Sequence, residues 1–110
     1  MMFSILLIFL IAVVYAADLN PTTFKNDVVL DDNVWMVEFY SSMCGSCQEF
    51  APTWQKLESM VPGVQTGKIN IDQKEGMKLA EELGVLSEGI PNVRVFHNSG
   101  DSKGFSIYTG

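Results

Sequence analysis

Cys44 and Cys47 are the only cysteines in the 110-residue chain, and Gly45 and Ser46 separate them. A thiol reacts as its thiolate, so the chemistry open to the pair depends on what surrounds each sulfur. Val34 to Tyr40 is an apolar run rich in β-branched and aromatic residues that reads as a buried strand, and Ser41-Ser42-Met43 then turn the chain. A helical pattern starts at Cys44, which puts the pair at a strand-to-helix corner. There the unpaired N–H groups and the positive end of the helix dipole favour ionisation of Cys44 below the roughly 8.5 of a free thiol. Cys47 lies one turn deeper on the same face, within reach of a disulfide with Cys44. The arrangement suits a two-step exchange in which Cys44 attacks a substrate disulfide and Cys47 resolves the mixed disulfide.

The same spacing also fits a metal half-site or a structural bridge. Zinc usually takes four ligands, and two cysteines with the single distant His97 do not supply them within one chain. No metal or organic cofactor is expected. The formal net charge of −6, with no basic cluster to meet phosphates, argues against nucleic acid as a partner.

The elements that must hold the corner follow from the pattern on either side. Asn20-Pro21-Thr22-Thr23-Phe24 resembles a helix start, with a short helix to about Val28, and Asp31-Asp32-Asn33 turns into the strand. After the cysteines, Cys47, Phe50, Ala51, Trp54, Leu57 and Val61 recur at helical spacing, with Pro52 bending the first turns. Val64 to Ile71 reads as a strand, Lys74 to Leu83 as a helix stopped by Gly84, and Val93 to Phe96 as a strand. Asn98-Ser99-Gly100-Asp101 is a hairpin turn before a last strand, Phe105 to Tyr108. Only Ala17-Asp18-Leu19 remains for a strand ahead of Asn20.

Met1 to Ala17 contains one polar residue, Ser4, and Ile5 to Val14 is continuously apolar. This reads as a secretory signal peptide cleaved after Ala16, leaving residues 17–110 as one domain in an oxidising compartment. The endoplasmic reticulum lumen is the expected location, with secretion as the alternative. The run is short for a membrane span, so contact with a membrane would come only through this segment if uncleaved.

Glu38-Phe39-Tyr40, Cys44-Gly45-Ser46-Cys47 and Ala51-Pro52-Thr53-Trp54 resemble the active-site region of the thioredoxin superfamily, nearest its protein disulfide isomerase branch. They are similar also to the thioredoxin-like domain of sulfhydryl oxidases. The resemblance runs from about Leu19 to Gly110. It implies a thioredoxin-like α/β fold, a central mixed β-sheet flanked by helices. It implies a thiol–disulfide oxidoreductase that exchanges disulfides with cysteine-containing client proteins, and with glutathione or another thiol–disulfide couple.

Three further positions take their roles from the resemblance. Glu38 stands in an otherwise apolar strand, where burial would raise its pKa, and in the family an acid here relays the proton of the resolving cysteine. Lys68 falls where disulfide isomerases often carry a lysine near that acid. Ile90-Pro91 matches the family's cis-proline loop opposite the nucleophile, where the residue before proline offers backbone hydrogen bonds to an extended peptide.

The chain also departs from the family. Met43 replaces the usual tryptophan at the rim, Ser87-Glu88-Gly89 lengthens the approach to Pro91, and Ser46 replaces the isomerase histidine. Serine offers the Cys44 thiolate only a hydroxyl, so the pair is expected to be less oxidising than the isomerase type. That puts its potential between about −270 and −180 mV. Tyr108-Thr109-Gly110 resembles the turn after the family's last strand, where an arginine and a last helix normally follow, so the sequence reads as a fragment missing that helix. The rival readings are a non-catalytic binding or chaperone module and the thioredoxin-like part of a longer sulfhydryl oxidase.

Overall fold

The computed structural model describes residues 17–97 and 99–110, so the signal-peptide reading of residues 1–16 lies outside the described residues. Among these, the strands β1 (Ala17–Asp18), β2 (Val34–Tyr40), β3 (Val64–Asn70), β4 (Asn92–Phe96) and β5 (Phe105–Thr109) form one sheet in the order β1-β3-β2-β4-β5. β3 runs parallel to β1 and β2, whereas β4 is antiparallel to β2 and β5, which makes the sheet mixed as expected. β2 has neighbours on both sides, in step with β3 from Val34↔Val64 to Tyr40↔Asn70 and with β4 from Trp35↔Phe96 to Phe39↔Asn92. An interior strand covered on both faces reads as a near-continuous apolar run, and Met36, Val37 and Phe39 are all buried.

Helices α1 (Gly45–Met60), α2 (Lys74–Glu82) and α3 (Val85–Glu88) complete the layers. Phe50 and Trp54 of α1 pack with Met36 and Val93 in one core. A second core joins Val37, Phe39, Ile69 and Phe96 to Ala80 of α2, Val85 of α3, and Phe24, Val28 and Val29. Each of the large side chains withdrawn from water contributes roughly 1.5–3 kcal/mol. α2 lies close against β3, because a Cβ at Gly76 would meet the Asn70 carbonyl oxygen at 2.1 Å. Only glycine permits that approach.

Local differences from the expected pattern have physical reasons. The helix expected from Asn20 starts later: Asn20 Oδ1 accepts from the Thr22 N–H at 3.0 Å and closes a turn, and the helical residues are Lys25–Val29. Those residues form a wide π-type turn, with Leu30 N–H donating to Lys25 C=O at 2.9 Å. The packed stripe of α1 is narrower than the spacing predicts, with Cys47, Phe50 and Trp54 buried and Ala51 exposed. Residues 85–88 form the extra turn α3, held by fully buried Val85. Gly84, at φ 76°, ends α2 as expected. Asp101 accepts from the His97, Lys103 and Gly104 amides, which extends the β4–β5 turn beyond Asp101; its Asn98 lies outside the described residues.

Candidate functional site

β2 ends at Tyr40 and α1 begins at Gly45, so Cys44 is the N-cap residue of α1, in extended conformation (φ −95°, ψ 114°). Its sulfur takes the place of the usual capping oxygen. The Cys47 N–H donates to Cys44 Sγ at 3.1 Å, and Ser46 Oγ lies 3.3 Å from the same sulfur. Both cysteines are free thiols; Cys44 is half-buried and Cys47 only 4% exposed. Partial burial opposes ionisation of Cys44, but the hydrogen bonds from Cys47 and Ser46 outweigh it and lower its pKa. Burial and the link to Cys44 push the Cys47 thiol up to about 11. The surroundings therefore favour the thiolate on Cys44 and the protonated thiol on Cys47.

The turn that presents Cys44 is anchored by Asp72, a residue singled out by no feature of the sequence reading. Its carboxylate accepts from Ser41 Oγ at 2.5 Å, Ser42 N–H at 2.9 Å and Ser42 Oγ at 2.6 Å. Those bonds hold the Asp72 pKa below the ordinary carboxylate value. Ser41 Oγ in turn accepts from Met43 N–H at 3.1 Å, and Gln48 Nε2 donates to Ser42 C=O at 3.0 Å. The available signal was position alone: Asp72 follows β3, the parallel neighbour of β2, so both strands deliver their next residues to the same end of the sheet. Met43, 83% exposed, and Gly45, with open space around it, form the rim beside Cys44.

Glu38 is 4% exposed and faces a cavity of about 370 Å³ whose lining includes Cys47, Trp54, Glu58 and Lys68. Burial raises its pKa to about 7 against the lowering effect of Lys68, and Glu58 adds to the rise. Lys68 is the register partner of Glu38 across the β2–β3 pair. Its ammonium lies 4.0 Å from Asp18 Oδ1 and 5.4 Å from the centre of the Tyr40 ring.

The Ile90–Pro91 peptide is cis and leads directly into β4. Because Asn92 pairs with Phe39, Pro91 enters the sheet at the end of β2 from which the Ser41–Met43 turn departs. Gly110 backs this loop: its N–H donates to Pro91 C=O at 2.8 Å, and a Cβ there would come within 2.5 Å of Ile90 O and Pro91 Cδ. The sequence-derived residues thus fall into two groups at one end of the sheet, the cysteines with Glu38 and Lys68, and the Ile90–Pro91 loop.

A profile of the family described as Thioredoxin matches residues 15–108. The chain is 36% identical over 80 residues to the protein disulfide-isomerase A6 homolog of Drosophila melanogaster, covering 72% of this chain and 18% of that protein. It is 32% identical over 80 residues to protein disulfide-isomerase A6 of Homo sapiens, covering 72% and 17%. It spans less than a fifth of the length of these relatives. Among solved structures, the crystal structure of the Trx4 domain of ERdj5 matches with a TM-score of 0.71 at 28% identity, covering 86% of this chain and 82% of that one.

Proposed function

This chain belongs to the thioredoxin family, and on that premise we propose that it is a thiol–disulfide oxidoreductase of the protein disulfide isomerase kind, acting on cysteine-containing client proteins. The observation that carries the reading is the Cys47 N–H donated to Cys44 Sγ at the start of α1, which stabilises a thiolate on the outer sulfur while its partner stays buried. Cys44 thiolate attacks a client disulfide: its sulfur bonds to one client sulfur, the client S–S bond breaks, and the departing thiolate takes up a proton. Cys47 then passes its proton to the Glu38 carboxylate and attacks Cys44, releasing the second client sulfur as a thiolate. The client gains two electrons and the chain is left with a Cys44–Cys47 disulfide. Run in reverse, the same steps donate a disulfide. Glutathione or another thiol–disulfide couple resets the pair.

In this reading Lys68 moderates the Glu38 carboxyl, Met43, Ile90 and Pro91 meet the client, and Gly45 and Ser46 set the environment of the thiolate. The residues that follow the apolar leader, 17–110, act as one thioredoxin-like domain in the secretory pathway, in the endoplasmic reticulum lumen or outside the cell. An oxidising compartment is where such a pair can cycle. The test is equilibration of the full chain with a glutathione redox buffer, followed by thiol alkylation and mass measurement. The expected result is a reversible two-electron transition of Cys44 and Cys47. A pair locked in one state across the whole buffer range would overturn the redox reading and leave a binding module.

A further inference from the structure

Arg94 of β4 is 6% exposed, and a guanidinium so far from water needs partners. Its Nη1 donates to Leu83 C=O at 2.7 Å and Lys103 C=O at 3.0 Å, its Nε to Ser106 Oγ at 3.3 Å, and its Nη2 to Glu88 Oε1. Ser106 Oγ donates to Glu88 Oε1 at 3.0 Å and accepts from Asn92 Nδ2 at 3.3 Å. One polar network therefore joins the end of α2, the end of α3, the start of β4, the β4–β5 turn and β5.

The placement of the network within the chain gives it a purpose. Glu88 immediately precedes Gly89-Ile90-Pro91 and Asn92, fully buried, immediately follows them, so the network grips both ends of the three-residue loop. Gly89 has φ 100°, in the region open to glycine, and glycine is the residue with the most backbone freedom. Gly89 N–H donates to Val85 C=O at 3.0 Å and Gly110 N–H to Pro91 C=O at 2.8 Å, and the grip on Glu88 adds to these in limiting rotation ahead of Ile90. The Glu88 side chain is itself 36% exposed, so the pair ties the buried Arg94 to the surface turn that leads into the loop.

We propose that Arg94 and Glu88 are positioning residues for client recognition, fixing the Gly89–Ile90–Pro91 backbone so that an extended cysteine-containing peptide can pair with it while its disulfide meets Cys44. This role rests on the redox function proposed above. A small disulfide that makes no strand-like contact with the loop should not sense it.

The test is single-turnover reaction of the reduced full chain with two probes, a bis-cysteine peptide held as its disulfide and glutathione disulfide. Glu88→Ala is expected to raise the half-saturating peptide concentration about ten-fold, with the maximal rate and the glutathione disulfide rate constant held within about two-fold. Glu88→Gln, which keeps an acceptor for Arg94 and Ser106, is expected to restore peptide half-saturation. Arg94→Lys keeps a cation in β4 but shortens the reach to Glu88, so it repeats the test should Glu88→Ala fold poorly. Unchanged peptide half-saturation, or equal losses with both probes, would overturn the positioning role alone. A wild-type chain inert towards glutathione disulfide would overturn the redox reading beneath it.

Discussion

Glu38 and Lys68 occupy one rung of the parallel β2–β3 pair, yet the Lys68 ammonium also lies beside Asp18 Oδ1, at 4.0 Å. Neighbours on a rung point to the same face of a sheet, so Lys68 tempers the buried carboxyl while part of its charge is engaged elsewhere. The balance leaves Glu38 at about 7, between the protonated and ionised forms at the pH where the chain would work. A carboxyl so poised can accept the Cys47 proton and give it up again.

The first prediction follows from that poise. Between about pH 4.5 and pH 7 the folded chain keeps a proton on Glu38 that the unfolded chain has released, so the stability tied to this group is full at the acid end and is lost as pH rises through about 7. Glu38→Gln should abolish this slope and make the chain about 2 kcal/mol more stable at pH 8, read by denaturant unfolding at several pH values. The same variant should slow resolution of the mixed disulfide about 100-fold and remove its rise through pH 7. A variant with wild-type resolution kinetics would exclude Glu38 as the proton acceptor.

Asp72 supplies a second prediction. Its three accepted hydrogen bonds hold Ser41 and Ser42, and through them the geometry that lets Cys44 cap α1. Asp72→Ala should loosen that turn and weaken the bond from the Cys47 N–H to Cys44 Sγ, raising the Cys44 pKa and slowing its alkylation by iodoacetamide several-fold at neutral pH. Asp72→Asn retains an acceptor for the Ser42 N–H and should lose less. If both variants alkylate at the wild-type rate, the turn does not depend on Asp72.

Much of this site was legible in the sequence because its signals are local. The β2 run, the two cysteines and the restart of helical spacing lie within a few residues of one another, and the corner they predict is the one observed. Glu38 stood out because a carboxylate interrupts an apolar strand, and it is buried where that strand is central. The contacts of Asp72, Arg94 and Glu88 were not legible. Asp72 meets Ser41 across 31 positions of chain and Arg94 meets Ser106 across 12, and no periodicity encodes such meetings. The short helix α3 escaped for a related reason: one turn has no repeat to read, and buried Val85 decides it through tertiary packing.

The cysteines themselves give a third prediction, one that separates catalysis from binding. Cys47→Ser removes the thiol that would release a client and leaves Cys44 Sγ with its backbone donor from residue 47. The full-length variant should accumulate mixed disulfides with a bis-cysteine peptide disulfide, visible as a mass increase reversed by dithiothreitol. Cys44→Ser should accumulate none, because the buried Cys47, with its thiol pushed up to about 11, is a poor attacking group. Trapping by Cys44→Ser at the rate of Cys47→Ser would reverse the two assignments.

Ser46 is expected to help set where the pair sits on the redox scale. Its hydroxyl lies 3.3 Å from Cys44 Sγ, helping to lower the Cys44 pKa without bringing a positive charge. A histidine cation at this position would stabilise the thiolate more, and a better-stabilised reduced form makes the disulfide a stronger oxidant. The wild-type potential is therefore expected between about −270 and −180 mV, and Ser46→His should raise it by about 30 mV, a ten-fold change in the equilibrium with glutathione. Ser46→Ala should move it the other way by a smaller amount, since only a neutral partner is lost. Equal potentials for all three proteins would mean that the Cys47 N–H and the start of α1 set the thiolate's stability without residue 46.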